Sequence, residues 1–596
     1  RMADPFVAGC RRAGRLLHAS DSRLATMGKR RQRNDSPLRL ALEFTGLAVL
    51  PNEVRAFALV VSLVVALPAG LIVAIAARAP DGSALPWALP LLAGPLLVAV
   101  FILGYPDAVA RKVRSRAIAE GPALATYLTM SLRVRPSLES AIAFAAEHGA
   151  GPLAARLRRA LWDVHMRTRG SIEDALTRIG DEWGESNPEL KRACYGIAQA
   201  VRDGSRDGLS RSLDRARDLV FEGTRRRWRE YAAGLRGPMT ALFALGVLLP
   251  LIVGSMLPLL SLGTFSPTSI GVDEPPPGNP VPWLLLLDVA FPAITFLFAH
   301  HVASRRPAPD DRRGVPANRS RLLLAFGAAP FMIVAGVLLP DDTRLLGMVG
   351  VLLVGVSFAL FMTTEKPRSR SKTIEAVEAE FPDALSQLGS RLGEGRGLEA
   401  SLLAMADGFR RTAIGTVFEK IARSLRLGGT AEQALFGPRG ALEGVPSAAV
   451  RASLRMVVDL AAKDPETAGL AIVEMASHLR DLQTLERDLR VELRPTVDAM
   501  KATATFFAPV VLGVTGALYG LLSRAFSTIA SLPMKPPTFH LALGVFLALT
   551  TVAIQQCATR IEVGRDFVAF GSSLARALPV GYAIFVATLL GAGSAF

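Results

Sequence analysis

Arg169-Gly170-Ser171-Ile172-Glu173-Asp174-Ala175-Leu176 and Gly428-Gly429-Thr430-Ala431-Glu432-Gln433-Ala434-Leu435 are two versions of one short signature. Each lies in a long charged block, residues 106–237 and 363–505, and each block is bracketed by apolar segments long enough to cross a bilayer. Ser171 with Asp174, and Thr430 with Gln433, have the spacing of a helix N-cap and a reciprocating partner. Pro136-Ser137-Leu138-Glu139 against Gly397-Leu398-Glu399 gives a second matching pair of helix starts, and Arg217-Asp218-Leu219 against Arg480-Asp481-Leu482 a third. The members of each pair are about 260 residues apart, and a constant offset across separate landmarks is the mark of duplication.

Working outward, the chain of 596 residues is 50% apolar, which places it in the polytopic membrane class. A bilayer core of about 30 Å needs about 20 largely apolar residues per spanning helix. Runs of that kind are Ala56 to Ala77, Leu85 to Tyr105, Pro238 to Leu260, Val281 to Val302, Leu322 to Leu339, Leu345 to Met362, Phe506 to Leu522, Phe539 to Cys557 and Leu578 to Leu590. The blocks between them repeat apolar residues at three and four, as in Leu124, Tyr127, Leu128 and Leu132, the helical period. The expected fold is all-α: a polytopic membrane protein with about nine transmembrane helices and two cytoplasmic helical bundles of about five or six helices each. An even number of spans in each half makes the tandem repeat parallel.

Lys and Arg in short loops stay on the cytoplasmic side. Arg11, Arg12, Arg15, Lys29, Arg30, Arg31 and Arg33 therefore put the N-terminus inside, as Arg305, Arg306, Arg312, Arg313, Arg319 and Arg321 do for the central linker. Residues 261–280 carry Asp273 and Glu274 with no Lys or Arg and face out. Alternation then leaves both blocks inside and the C-terminus outside, in a multi-pass cell-membrane protein. The expected division is a basic, mobile N-terminal arm 1–55 that is not a cleavable signal peptide; a transmembrane pair 56–105; a first cytoplasmic domain 106–237; a transmembrane pair 238–302; and a basic linker 303–321. A transmembrane pair 322–362, a second cytoplasmic domain 363–505, a transmembrane pair 506–557 and a final segment 558–596 with the last transmembrane helix complete it.

The chemistry-bearing motifs of enzymes are missing from this sequence. There is no phosphate-binding GxxxxGK[ST] loop, no HExxH and no GxSxG, and the three cysteines and seven histidines show no metal-ligand spacing. Catalytic, cofactor-binding and metal residues are thus expected to be none. The net charge of +16 is explained by inner loops and the N-terminal arm, and no aromatic interleaving suggests nucleic acid. Two features stand out instead. Arg225-Arg226-Arg227-Trp228-Arg229 is the densest inner basic patch, suited to lipid headgroups or to an acidic cytoplasmic partner. Asp288 lies inside an apolar run, a candidate intramembrane polar residue whose readings are structural, an ion or substrate pathway, or a membrane-embedded partner. The first block is basic and the second nearly balanced.

Two helical blocks with Ser/Thr-x-Glu-x-Ala-Leu at Ser171 to Leu176 and Thr430 to Leu435, each followed by a proline-containing span, resemble the type II secretion system F family. That family provides membrane platform proteins of type IV pili, type II secretion systems, Tad-like pili and the archaellum. The additional spans ahead of each block are similar to its archaeal members. The resemblance implies a non-enzymatic platform without cofactors, which couples a cytoplasmic hexameric secretion ATPase to assembly of pilin-like subunits into a filament. Its implied partners are that ATPase, pilin-like subunits, membrane lipids and, as an option, a second copy of itself. It makes Arg225, Arg226, Arg227, Arg229, Glu173 and Glu432 candidate ATPase contacts. The alternative reading is a secondary transporter with parallel repeats, for which Asp288 would serve the pathway.

Overall fold

Ala, Leu, Arg and Glu dominate the blocks, and helix is the only regular structure among the described residues of the computed structural model. Those residues are 5–18, 49–77, 93–134, 136–149, 151–166, 171–184, 187–203, 206–253, 281–304, 341–526 and 534–595 except 439, 446, 463 and 565, with 256, 306, 327, 330 and 334 singly. The chain divides into two units, Arg1–Ala117 and Ile118–Phe596.

The first unit holds α1 (Pro5–His18), α2 (Pro51–Ala77) and the start of α3 (Ala93–Val134). Part of the arm expected to be mobile is thus helical. Val7 and Cys10 recur at the helical period, and they pack with Val49, Val54 and Phe57 of and beside α2. Burial pushes the Cys10 thiol up to about 11, helped by the charge of Glu53. Residues 1–4 and 19–48 of the arm, the expected span 322–339 apart from 327, 330 and 334, and the linker 303–321 apart from 303, 304 and 306 lie outside the described residues, as do 85–92 of the span 85–105.

In the second unit the end of α3 is followed by α4 (Leu138–His148), α5 (Gly151–His165), α6 (Ile172–Gly184), α7 (Pro188–Asp203) and α8 (Arg206–Gly234). Then come α9 (Arg236–Phe243), α10 (Val281–Leu284) and α11 (Phe291–Ser304). The second block comprises the C-terminal part of α12 (Asp341–Gly393), α13 (Leu398–Gly408), α14 (Gly415–Arg426), α15 (Ala431–Phe436), α16 (Ala448–Ala461) and α17 (Pro465–Ala502). It is followed by α18 (Ala508–Phe526), α19 (Pro536–Glu562) and α20 (Phe567–Ala595).

Local chemistry explains the starts. Thr430 and Gln433 form a full capping box, satisfying two orphan N–H groups of α15. Ser171 Oγ accepts from the Asp174 N–H, but the reciprocal bond is not among the contacts of the described residues, since an aspartate is one methylene too short for that reach. Ser137 caps α4 in the same way, whereas Gly397 starts α13 without a side chain. The third matched pair, expected from its spacing to be helix starts, is not. Arg217-Asp218-Leu219 and Arg480-Asp481-Leu482 instead lie inside α8 and α17, because α17 begins earlier, at Asp464, whose carboxylate accepts from the Glu466 N–H and which precedes a proline at the first turn.

Six helical runs among the described residues are long and apolar enough to cross a membrane: 208–253, 285–304, 344–393, 468–525, 536–562 and 567–593. Three of them, 208–253, 344–393 and 468–525, continue without a loop from charged to apolar sequence or back. α12 does so as one helix, and α17 passes into α18 through a π-helical turn, Thr503–Phe507. Further π-helical turns are Ala244–Leu248, after α9, and Leu285–Ala290, between α10 and α11. Each ends two residues before a proline: Pro250, Pro292 and Pro509. Proline has no N–H for the carbonyl four residues back and its ring crowds it, so the turn widens and the donor just before the proline reaches five residues back. Leu249 N–H bonds Ala244 O, Phe291 N–H bonds Leu286 O and Ala508 N–H bonds Thr503 O.

α19 is the central apolar helix, with Phe539, Leu543 and Phe546 fully buried among residues of α18 and α20. Tyr519 stacks on Phe539 at 3.9 Å and donates its hydroxyl proton to Met534 O at 2.8 Å. Tyr582 does the same to Leu346 O at 2.7 Å, which fastens α20 to the start of α12. In the second block, Gly469 of α17 lies against Gly389 and Gly393 of α12 so closely that a Cβ there would stand 2.3 Å from the Gly393 nitrogen.

Candidate functional site

The helix α8 carries the arginine cluster, and successive residues on a helix point about 100° apart. The cluster therefore does not face one way. Arg225 and Arg229, one turn apart, reach the second block: Arg225 Nη2 donates to Asp488 Oδ2 at 2.8 Å and Arg229 Nε lies 3.3 Å from Glu492 Oε1, both on α17. Arg227 turns back into its own block, with Nη2 3.2 Å from Glu189 Oε2. Arg226 pairs with Glu230 one turn on, at 2.9 Å, on the exposed side. Trp228 is buried with Leu235, Leu489, Leu493 and Val497, so an apolar seam backs the ion pairs between α8 and α17.

The ladder continues toward the start of α17. Arg217 Nη1 lies 3.1 Å from His478 Nδ1, and His478 Nε2 lies 3.5 Å from Glu474 Oε1. Arg133 of α3 also reaches Glu474, at 2.7 Å, and pairs with Asp214 of α8. Burial alone would raise the Glu474 carboxyl, but the His478 hydrogen bond and the charges of Arg133, His478 and Arg217 outweigh it and hold it below the usual glutamate range. Partners advance in the same sense along both helices, so α8 and α17 run parallel. Arg225 and Asp488 are 263 residues apart and Arg217 and His478 are 261 apart, close to the spacing of the matched sequence stretches. Asp488, Glu492, Glu474, His478 and Arg133 were not singled out from sequence. The signal was present: Asp488 and Glu492 sit one repeat spacing beyond Arg225 and Arg229, with opposite charge.

Glu173 and Glu432 occupy the first turns of α6 and α15, where a carboxylate favours the helix dipole. Glu432 is exposed and lies 3.6 Å from Arg455, which also sits over the Phe436 ring. Glu173 is half-buried, and its backbone carbonyl accepts from the Thr177 hydroxyl. The carboxylates that pair with the arginines of α8 are instead Asp488, Glu230, Glu189 and Glu492.

Asp288 sits in the π-helical turn Leu285–Ala290, and its backbone carbonyl is the one that Pro292 leaves without its usual donor. Its Oδ1 is buried with no hydrogen-bond partner among the described residues, as is Oγ1 of Thr295 two turns on. A separate polar set links three apolar helices: Gln555 Nε2 donates to Thr505 Oγ1 at 3.4 Å, and Ser573 Oγ donates to Gln555 Oε1 at 2.8 Å. Lys501 pairs with Glu562 near the same level. His300 Nδ1 lies 2.8 Å from Arg560 Nη1, a polar packing contact.

Among the described residues no three His, Cys, Asp or Glu side chains group as metal ligands. The three cysteines are free and buried, and burial pushes the Cys194 thiol up to about 12.

No curated protein and no solved structure matches the chain. Residues 124–258 match the profile of the family described as Type II secretion system (T2SS), protein F. The matched stretch runs from the end of α3 through α4–α9 into the following apolar helix, and so includes the arginine cluster and Glu173. With six helices among the described residues apolar enough to span a membrane, the chain is a multi-pass membrane protein that carries a type II secretion system F domain at residues 124–258.

Proposed function

We propose that this chain is the non-enzymatic platform of a type IV pilus-like or type II secretion-like machine. A cytoplasmic hexameric ATPase engages the two blocks, and their movement draws pilin-like subunits from the membrane into a filament. The family match supports the platform role. The observation that carries the coupling is the uninterrupted passage of α12 and of α17 into α18 from charged block to apolar helix, since a continuous helix transmits displacement that a flexible loop would absorb.

The reading includes a tandem parallel duplication with about nine spans, both blocks and the N-terminus in the cytoplasm and the C-terminus outside. Domain limits follow the division at 56, 106, 238, 303, 322, 363, 506 and 558. Duplication is supported by the repeated order of helices, by the prolines closing a π-helical turn after each block, and by contacts that join residues about one repeat apart. The archaeal-type layout belongs to the same proposal. In membrane extracts the chain should co-purify with the secretion ATPase. If deletion of residues 120–230 leaves both that binding and filament assembly intact, the reading is wrong.

A further inference from the structure

Arg576 is the one charged residue of α20, and it stands on an outward face. The exposed positions from 576 to 590 are Arg576, Val580, Ala583, Ala587 and Leu590, whose alternating spacing of four and three draws a single stripe along the helix. With its other faces α20 packs on α12 and α18, where Phe358, Phe361 and Val510 are exposed too. An apolar surface of this kind meets lipid, and a cation set in it is costly unless it finds an anion or reaches the interface. The apolar run 567–593 holds 27 residues, about 40 Å of helix for a bilayer core of about 30 Å. With the excess shared between its ends, the Arg576 Cα lies about 8 Å inside the core. Side chains lean toward the N-terminus of their helix, and Arg576 Nε donates to Ser572 O at 3.1 Å, one turn nearer that end. The guanidinium is thereby drawn about 5 Å toward headgroup level, and its Nη donors have no partner among the described residues. The carboxylates at this corner are engaged: Asp566 accepts the Val568 N–H ahead of α20, and Glu562, at the end of α19, pairs with Lys501. Lys501 lies where the second block passes into its apolar helix, so this end of α20 is on the side of the block.

We infer that Arg576 binds the phosphate of an anionic phospholipid in the leaflet on the side of the second block, with the acyl chains lying along the stripe from Val580 to Leu590. The site needs α20 to span the membrane and does not rest on the platform reading. With Nε held by Ser572 O, the two Nη groups remain to meet a pair of phosphate oxygens, a match that the planar guanidinium makes and an ammonium does not. A headgroup of net negative charge is the better ligand, because the ammonium of a zwitterionic lipid already balances its own phosphate. An acidic side chain on another membrane helix is the poorer fit: it would be costly to bury in hydrocarbon, and at headgroup level it would compete with phosphates that are already there.

The test titrates the full chain in neutral detergent with phosphatidylglycerol or with phosphatidylcholine of the same acyl chains, and reads thermal unfolding. Phosphatidylglycerol should raise the unfolding midpoint of the wild-type chain at the lower concentration. Arg576→Gln should raise the phosphatidylglycerol concentration needed by about fivefold and leave the phosphatidylcholine response unchanged. Arg576→Lys keeps the charge and should retain most of the preference, while Arg487→Gln, at an exposed position of α17 in the second block, should titrate as the wild type does. In native membranes, a photo-cross-linking p-benzoylphenylalanine in place of Val580, one turn beyond Arg576, should attach to lipid. No preference for phosphatidylglycerol in the wild type, an undiminished preference in Arg576→Gln, or attachment of position 580 to another protein or a second copy of the chain would each overturn the proposal.

Discussion

Arg225 of one block donates to Asp488 of the other at 2.8 Å, and the two residues are 263 positions apart. One turn later Arg229 repeats the arrangement with Glu492. The unequal charge of the two blocks thus has an internal use: where the first block has arginine, the second has a carboxylate, and the helices that carry them run side by side. A symmetric pair of identical blocks would set arginine against arginine. The complementary charges specify pairing of the two unlike blocks and disfavour pairing of like ones.

Exposed pairs of this kind contribute roughly 0.2–1 kcal/mol each, so the ladder sets partner choice more than stability. Arg225→Asp should destabilise the contact by about 1 kcal/mol, through the lost pair and the new repulsion from Asp488. Combining it with Asp488→Arg should restore most of that loss. Thermal unfolding of the purified chain in detergent measures the cycle, and an additive double variant would show that the two side chains do not interact.

Glu474 gives the same contact an acid limit. Its carboxyl is held below the ordinary glutamate value, so it contributes stability above the unfolded-state pKa, near 4.5, and loses it as the pH falls through the folded value. Stability should therefore be level near neutrality and fall as acid protonates the carboxylate that faces Arg133, Arg217 and His478. Glu474→Gln should be less stable at pH 7 and should lose less on acidification. An unchanged difference between the two proteins from pH 7 down to pH 4 would count against the arrangement.

Features set by neighbours in sequence were legible, and those set by neighbours in space were not. The capping of Thr430 by Gln433 depends on four consecutive residues, and the spacing alone revealed it. The arginine cluster looked like one patch because five residues in a row share a block. Only the helical twist separates Arg225 and Arg229 from Arg226 and Arg227, and only the parallel packing of α8 on α17 supplies their partners. Opposite charge one repeat apart acquires meaning once the two helices are known to touch. The third matched stretch, Arg217-Asp218-Leu219, belongs to the interior of α8 because the ladder needs a long uninterrupted helix there.

The crossing of α12 and α17 depends on absent side chains. A Cβ on Gly469 would stand 2.6 Å from Gly389 O as well as 2.3 Å from the Gly393 nitrogen, and backbone cannot move aside as a flexible side chain does. Alanine's helix preference favours the substitution by about 1 kcal/mol, but overpacking costs about 1–3 kcal/mol. Gly469→Ala should therefore lower the unfolding temperature. Gly196→Ala, inside α7 with open space around it, should raise it slightly. Equal, stabilising shifts at both positions would mean that α12 and α17 do not approach this closely.

Pro509 offers control over the joint between the second block and its apolar helix. Proline at this position removes the N–H that would close an ordinary turn on Thr505, and the helix widens to a π turn over Thr503–Phe507. Thr505 is also where Gln555 attaches, and Ser573 holds Gln555 from the other side. Pro509→Ala restores the missing donor and removes the reason for the extra residue in the turn. Closing it would rotate the rest of α18 by about 100° relative to α17. That rotation would break the fit of Gly513 against Thr588 and Phe585 of α20, where a Cβ has no room. The variant should keep its helix content and the stability of the second block, yet lose filament assembly. Gly513→Ala, which sets a Cβ against the Thr588 hydroxyl and the Phe585 carbonyl, should disturb the same seam and lose assembly as well. Assembly retained by both variants would show that filament formation does not depend on the angle of α18.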